Sequence, residues 1–261
     1  SVSNPTIPNP TAIPSTQTAP VSVNGEDEIV EMDRMRKLIS GYMTASLQTS
    51  AHVQSFIEVD VTNIVKWRDK VKSAFEKREG EKLTFTPIFM QAVAKALKDF
   101  PGMNISVDGN YIIKKKNINL GLAAALPNGN LIVPVIKNAD QASLLDIAKT
   151  LQTLSEKARD KKLLPDEMQG GTFTISSLGG IGGSAFTPII NWPEVAILGV
   201  SRAELKPVFT SEGNAPESQW AARLMLPLSL SYDHRVIDGA DAARFTTTLC
   251  ANLNDLRRCL L

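Results

Sequence analysis

One short segment of the sequence combines a residue that can transfer a proton with the element boundary that would expose it. The apolar stretch Leu226–Leu230 continues into Tyr232-Asp233-His234-Arg235, and a helix is expected to begin near Asp238-Gly239. A histidine at the end of a strand lies where side chains reach a cleft, and an imidazole can gain or lose a proton near neutral pH. His234 is therefore a candidate general base.

Three charged neighbours of His234 have structural interpretations. Asp238 lies at the expected helix start, where a carboxylate caps the first turn and interacts favourably with the helix dipole. In a functional interpretation, which is compatible with the first, its carboxylate fixes the local loop and thereby the orientation of the histidine. Asp233 and Arg235 carry opposite charges on either side of His234, and we interpret them as a structural ion pair.

Only one other histidine and two cysteines are present in the chain. His52 stands at the start of an alternating segment, and we interpret it as a structural or surface residue and assign it no proton transfer. Cys250 is expected inside the last helix as a small core residue, and Cys259 has no histidine close in sequence to activate it. Because both cysteines lie near the chain end, they form no disulfide framework and fit a reducing compartment.

The sequence lacks the common motifs for metal ions and nucleotides. Neither CxxC nor HExxH occurs, and the two histidines lie in unrelated contexts, so no metal site is expected. The glycine-rich stretch 179–183 follows Ser176-Ser177 but matches neither GxxxxGK[ST] nor GxGxxG, so it predicts a flexible turn and not a phosphate cradle. Since successive strand residues face opposite sides, only one of Ser176 and Ser177 can face a given site.

The composition excludes several classes of function. The chain has 261 residues, 43% of them hydrophobic, and a net charge of +1. This balance argues against nucleic acid or an anionic membrane as the main partner. No apolar run of about 18 residues is present that would cross a bilayer. The length suits one large domain or two small ones with a substantial core.

Two regions of different composition divide the chain. Residues 1–25 contain five of the 15 prolines among small and polar residues, and we expect them to form a flexible, extended linker. This segment lacks the basic and apolar regions of a secretory signal. Since the first residue is not Met, we expect an upstream part to have been removed. Residues 26–261 show the patterns of a globular domain.

The elements that must position these residues follow from hydrophobic periodicity and from helix caps. Helices are predicted over 31–47, 63–79, 86–99, 143–162 and 239–257, with Gly80 ending the second and Ser143, with Asp146, capping the fourth. Strands are predicted over 52–62, 171–176, 194–200 and 222–231, and several more over 103–136, with turns at 108–110 and 128–130. Interleaved but irregular helices and strands indicate an α/β fold with a mixed sheet.

The segment around His234 also resembles the signature of a known family. Ser231-Tyr232-Asp233 followed by His234-Arg235-Val236-Ile237-Asp238-Gly239 is similar to the DHRxxDG motif of dihydrolipoamide acyltransferases, the catalytic core subunits of the 2-oxoacid dehydrogenase complexes. Residues 32–43, 129–140 and 170–199 are similar to other characteristic stretches of that family. The Pro-rich linker is similar to the segment that tethers a mobile lipoyl domain there. The shorter HxxxDG pattern is shared with chloramphenicol acetyltransferase.

The resemblance implies a fold, a reaction and a site. It implies a chloramphenicol acetyltransferase-like mixed sheet with flanking helices and an active site at a trimer interface, with His234 and Ser176 contributed by different chains. His234 would deprotonate the thiol of coenzyme A or of dihydrolipoamide, and Ser176 would hydrogen-bond the oxyanion. Arg34 would border the coenzyme A channel, where a guanidinium suits phosphate groups. Direct transfer between the two sulfurs needs no acyl-enzyme.

The resemblance implies partners as well. Trimers would assemble into a hollow cubic or dodecahedral core, which would work with a 2-oxoacid decarboxylase and a dihydrolipoamide dehydrogenase. The lipoamide substrate would be carried by an upstream lipoyl domain outside this chain. Leu256, Leu260 and Leu261 are hypothetical apolar anchors between trimers. The bacterial cytoplasm is the expected compartment, with the mitochondrial matrix, which is also reducing, as the alternative.

Alternatives stay open for the acyl group and for the class of function. Residues 177–188 and 194–200 look like the acetyl branch of the family, and succinyl and branched-chain acyl groups are the alternatives. A non-catalytic assembly scaffold is a second hypothesis, against which the complete set of His234, Asp238 and Ser176 argues. A drug-modifying acetyltransferase that acts on a hydroxyl is a third, and it would need no Pro-rich tether.

Overall fold

The computed structural model describes residue 25, residues 27–125, 131–210 and 219–255, and residue 258. The predicted turn at 128–130, most of the predicted linker, Cys259 and the proposed anchors Leu256, Leu260 and Leu261 lie outside these residues. The described residues form five α-helices with bounds close to the predicted ones: α1 (Arg34–Thr49), α2 (Thr62–Glu79), α3 (Phe85–Asp99), α4 (Leu144–Arg159) and α5 (Gly239–Asn254).

Local capping signals explain why the helices begin and end where predicted. At the start of α4, the Asp146 N–H donates to Ser143 Oγ at 3.2 Å, and the Ser143 N–H donates to Asp146 Oδ2 at 3.1 Å. This reciprocal pair satisfies two backbone donors that the helix itself leaves free. α2 is followed by Gly80 with a φ of 74°, in the left-handed region that glycine adopts readily.

The strands of the described residues form one eight-stranded sheet and a separate hairpin. The strands are β1 (His52–Asp60), β2 (Ile105–Asp108), β3 (Tyr111–Lys114), β4 (Leu120–Ala125), β5 (Leu131–Ile132), β6 (Val135–Ile136), β7 (Phe173–Ser177), β8 (Ala196–Val200), β9 (Glu204–Thr210) and β10 (Gln219–Asp233). β2 and β3 make the hairpin, and they are joined at the predicted turn, where Gly109 has a φ of 53°.

The sheet combines parallel and antiparallel pairs. Its order is β1-β10-β8-β7-β4-β5, with β6 also paired to β4 and β9 paired to β10. β7 runs parallel to β4 and β8, and the other pairs are antiparallel. The predicted α/β fold with a mixed sheet is therefore confirmed.

One strand is absent from the sequence prediction. β9 pairs with the outer part of β10 and has Pro207 in its middle. A proline cannot donate to a strand ladder, so strands that contain one occur at sheet edges. Pro207, with Glu204 and Lys206 before it, explains why β9 is not predicted from the sequence. The edge position explains why the strand tolerates the proline.

The two faces of the sheet have different coverings. On one face, which we call the helix face, Phe173 and Ile175 of β7 belong to the same buried core as residues of α3 and α5. The rings of Phe173 and Phe245 lie 5.9 Å apart between centroids. The opposite face, the back face, carries Thr174 and Ser176, and the segment 186–194 lies against it. α1 is joined to that segment, because Ser46 Oγ donates to the Ile190 carbonyl at 2.6 Å.

No helix among the residues that the structure describes is long and apolar enough to cross a membrane.

Candidate active site

His234 lies in the turn that follows β10, as predicted. Its backbone N–H donates to the Ala51 carbonyl at 2.8 Å, which fixes the turn to the residue before β1. Its side chain is exposed, and its ring lies 6.0 Å from the Tyr232 ring between centroids. Within the described part of the chain, no hydrogen bond to the imidazole is found. Both ring nitrogens are therefore free of hydrogen bonds from the described residues and can bond to a group from outside the chain.

The turn is held by the predicted ion pair. Arg235 Nη2 donates to Asp233 Oδ2 at 2.6 Å and Arg235 Nε donates to Asp233 Oδ1 at 3.0 Å, so the contact is bidentate. The Ala51 N–H adds a bond to Asp233 Oδ1 at 3.2 Å. Burial by itself would raise the pKa of Asp233, but the hydrogen bonds and the charge of Arg235 outweigh it and lower the pKa. The buried carboxylate of Asp233 therefore stays ionised, and its hydrogen bonds hold the turn rigid.

Asp238 caps α5. Its side chain accepts a hydrogen bond from the Asp241 N–H at 2.8 Å, and its own backbone is extended, as an N-cap requires. The structural interpretation of Asp238 is therefore confirmed. The cap fixes the end of the turn that begins at His234.

Ser176 and Ser177 lie on opposite faces of β7, as strand alternation requires. Ser177 and Ile175 line a cavity of about 500 Å³ on the helix face, between the sheet and helices α2 and α3. Ser176 is half-buried on the back face. It stands in a row of register partners that crosses five strands, from Ala123 through Ser176 and Gly199 to Ser229 and Phe56.

Apart from Phe56 at its end, the row that contains Ser176 is built from small residues, and the ring of Phe186 lies above it. A Cβ atom added to Gly199 would lie 2.3 Å from Ser229 Oγ and 3.0 Å from Cζ of Phe186. Only glycine fits between these two groups. Phe186 therefore lies over Gly199, the register partner of Ser176, although nothing in the sequence identified it. Its only sequence signal is an aromatic residue that follows a glycine-rich turn.

Ser176 and His234 of one chain do not come together. Ser176 pairs with Gly199, Gly199 pairs with Ser229, and His234 lies five residues further along the chain from Ser229. Five residues of about 3.3 Å and two strand spacings of about 4.8 Å place the two Cα atoms roughly 20 Å apart. A single carbonyl group cannot contact both side chains of one chain.

His52 uses both of its ring nitrogens within the chain. The Ile190 N–H donates to His52 Nε2 at 3.1 Å, so that nitrogen carries no proton. His52 Nδ1 is then the protonated nitrogen and donates to the Ser50 carbonyl at 3.1 Å. This arrangement agrees with the structural role predicted for His52.

The remaining candidates have simple surroundings. Arg34 is the first residue of α1 and is exposed. Cys250 is half-buried in α5, and burial raises the pKa of its thiol to about 11, so it is not a thiolate at neutral pH. Among the described residues, no three His, Cys, Asp or Glu side chains are grouped so that they could hold a metal ion.

The family model of the 2-oxoacid dehydrogenases acyltransferase catalytic domain matches residues 24–261. The chain belongs to this family. A dihydrolipoyllysine-residue acetyltransferase component of the pyruvate dehydrogenase complex from Cupriavidus necator is 47% identical over 237 residues, which are 91% of this chain and 41% of that protein. The chain thus spans about two fifths of the length of this relative and of the acetyltransferase components from Azotobacter vinelandii and Pseudomonas aeruginosa.

Two solved acyltransferase structures match nearly the whole chain at 47% identity and a TM-score of 0.85. One is the cubic core of the pyruvate dehydrogenase multienzyme complex, of which the match covers 94% of this chain and 100% of that chain. The other, with 95% and 100% covered, is Azotobacter vinelandii dihydrolipoamide acetyltransferase, studied for the role of a serine, a histidine and an asparagine in its catalytic mechanism.

The acyltransferase domain also shares its fold with a more distant protein. Chloramphenicol acetyltransferase matches at a TM-score of 0.53 and 13% identity, with 87% of this chain and 99% of that chain covered. The predicted chloramphenicol acetyltransferase-like fold is therefore confirmed.

Proposed function

We propose that this chain is a catalytic domain that transfers an acetyl group between dihydrolipoamide and coenzyme A. The observation that carries the proposal is the surroundings of His234. Its exposed imidazole lies on a turn that is fixed by an ion pair between the buried Asp233 and the exposed Arg235. The names of the relatives in the same family support the acetyl group.

The reaction needs a base, an oxyanion donor and no covalent intermediate on the protein. His234 takes the proton of the coenzyme A thiol, and the sulfur attacks the thioester carbonyl of acetyl-dihydrolipoamide. Ser176 donates its hydroxyl hydrogen to the oxyanion of the tetrahedral intermediate. The intermediate then expels the dihydrolipoamide sulfur, to which His234 returns the proton. The reverse reaction exchanges the roles of the two thiols.

The active site requires two copies of the chain. Within one chain, His234 and Ser176 are roughly 20 Å apart at opposite ends of the strands that connect them. We infer that His234 of one chain meets Ser176 of a neighbour in a closed ring, which a trimer provides. The named cubic-core structure supports this ring as part of a larger assembly.

Exposed apolar side chains support the same conclusion. Met35 and Leu38 of α1 are 48% and 44% exposed, and Phe56, at the end of the Ser176 row, is 58% exposed. Apolar groups that remain accessible in one chain, close together on one helix, indicate a surface that another protein chain covers. A neighbouring copy on the back face would cover Phe56 beside the proposed site.

The substrates and partners are part of the proposal. Arg34, exposed at the start of α1, would contact a phosphate of coenzyme A. The lipoyl group would come from a lipoyl domain, tethered through the linker predicted over residues 1–25. The decarboxylase and dihydrolipoamide dehydrogenase of the complex would be the functional partners, and the bacterial origin of the relatives supports the bacterial cytoplasm as the compartment.

The experiment is acyl transfer by the His234→Ala variant. General-base catalysis contributes about 10²–10⁴ in rate, so we expect a loss of about a thousandfold in kcat for acetyl transfer from acetyl-coenzyme A to dihydrolipoamide. The assembled particle should have the wild-type size on a sizing column, because no described residue forms a hydrogen bond with the exposed ring. Unchanged transfer would refute the mechanism. Isobutyryl and succinyl donors, assayed beside acetyl, test the choice of acyl group.

A further inference from the structure

A carboxylic acid lies buried on the back face of the sheet, where it is bonded to β7 two positions before Ser176. Glu194 precedes β8 and is only 4% exposed. Its Oε1 accepts hydrogen bonds from Thr174 Oγ1 at 3.0 Å and from Asn191 Nδ2 at 3.1 Å. Its Oε2 is also buried and has no hydrogen-bond partner in the described part of the chain.

These surroundings favour the neutral acid. Burial raises the pKa of Glu194 to about 8, and the hydrogen bonds from Thr174 and Asn191 oppose this rise only in part. An ionised carboxylate with one unpartnered oxygen would be far more costly to bury than a neutral carboxyl group.

Uncharged groups face Glu194 from the elements that pack against it. β7 contributes Thr174, the preceding loop contributes Asn191, and Gly171 approaches so closely that an added Cβ would lie 2.8 Å from Glu194 Oε1. On β10, Asp233 donates its backbone N–H to the Val195 carbonyl at 2.8 Å, and its carboxylate is engaged by Arg235. Among the described residues, no ion pair compensates a charge on Glu194.

The hydrogen bonds of Glu194 join one end of the segment 186–194 to the strand that carries Ser176. Asn191 Nδ2 also donates to Thr174 Oγ1 at 3.2 Å, so the three side chains form a closed triangle. Thr174 and Ser176 belong to the same strand and face the same side of it. A change in this triangle therefore acts on β7 close to the serine.

The other end of the segment lies against the strand next to the one that carries Ser176. Phe186 lies against Gly199, which is the register partner of Ser176. Between these two ends, Ile190 is bonded through its N–H to His52 and through its carbonyl to Ser46. The segment thus has anchors at Glu194 and at Ile190, and its other end places Phe186 over the small-residue row.

We propose that Glu194 is a positioning residue: as a neutral acid it holds the segment 186–194 against β7 and thereby fixes the surroundings of the Ser176 hydroxyl, and loss of its proton releases that segment reversibly. The inference rests on the proposed function for the role of Ser176. The neutral acid and the release of the segment can be measured without activity.

The first test is the pH dependence of stability. The folded protein binds the Glu194 proton more tightly than the unfolded chain does, so its contribution is complete below the ordinary pKa of 4.5 and is lost as the pH rises through about 8. Glu194→Gln keeps the shape and has no proton to lose. Its melting temperature, relative to wild type, should rise steadily from pH 5 to pH 8, whereas the exposed control Glu76→Gln should follow wild type. A constant difference would overturn the neutral acid.

The second test measures the segment. Trp192 lies within it, and replacing the other two tryptophans by Trp67→Phe and Trp220→Phe leaves Trp192 as the only one. Its emission should shift reversibly as the pH passes about 8, and the added Glu194→Gln substitution should abolish the shift. An emission maximum that stays constant, or that shifts equally with and without the Glu194→Gln substitution, would contradict the release of the segment.

The third test uses activity. The ratio of wild-type to Glu194→Gln kcat/KM should be constant below pH 7 and fall about tenfold for each pH unit once Glu194 ionises. Glu194→Ala, which removes the anchor, should lose about tenfold or more at every pH, since small misplacements of reacting groups cost up to about a hundredfold. Full activity of both variants across the range would overturn the positioning role. A wild-type protein that catalyses no transfer would instead contradict the proposed function. The first two tests would still show whether Glu194 is a neutral acid that holds the segment.

Discussion

The two histidines stand at the same end of the sheet but have opposite surroundings. His52 is the register partner of Asp233, the residue before His234. The His52 ring is bonded through both nitrogens to backbone groups, whereas the His234 ring is exposed and has no bond from the described part of its own chain. Position near a strand end is therefore a poor guide to function by itself. An imidazole whose nitrogens are already bonded to backbone groups is not available for proton transfer, so the existing hydrogen bonds distinguish the two histidines.

Ser176 and Ser177 of β7 are also neighbours with different surroundings. Of the two comparisons described here, replacing these serines should give the larger change in activity. Ser176→Ala removes a hydroxyl from the back face and should lower kcat for acetyl transfer about a hundredfold, because one oxyanion donor contributes about 10²–10³. Ser177→Ala removes the same atom from the helix face, and transfer should stay within about twofold of wild type. Equal losses in the two variants would contradict the assignment to faces.

His52→Ala should affect stability more than activity. The substitution leaves the Ile190 N–H without a partner, whereas the Ser50 carbonyl keeps the bond from the backbone N–H of residue 52. Unfolding with urea at a fixed protein concentration should show a loss of about 2 kcal/mol in the free energy of unfolding. Acetyl transfer per folded protein should fall less than tenfold, because His52 affects the site only through its bond to the segment 186–194. A thousandfold loss of acetyl transfer in a folded His52→Ala protein would contradict the structural role assigned to His52.

The sequence predicts the features that depend on neighbouring residues. Three such features follow from residues within a few positions of one another: the caps formed by Ser143 and Asp238, the end of α2 at Gly80, and the opposite faces of Ser176 and Ser177. These interactions have fixed spacing along the chain, so residue types alone identify them.

The features that the sequence does not predict depend on residues that are distant along the chain. Ser46 and Ile190 are 144 positions apart, and Thr174 and Glu194 are 20 apart. In the sequence Glu194 is an ordinary acid beside a proline, and only its burial in the folded chain gives it an unusual proton affinity. The roughly 20 Å between His234 and Ser176 likewise follows from strand order and register, which periodicity does not specify.

The central claim is that one active site uses His234 of one chain and Ser176 of a neighbour, and complementation tests it most directly. Cores assembled from equal amounts of His234→Ala and Ser176→Ala chains contain no single chain that carries both residues. If each site joins neighbouring chains of a ring, random assembly restores about one site in four, so about a quarter of the wild-type acetyl-transfer rate should return. Mixed cores of wild-type size that remain as inactive as the parent variants would contradict the account.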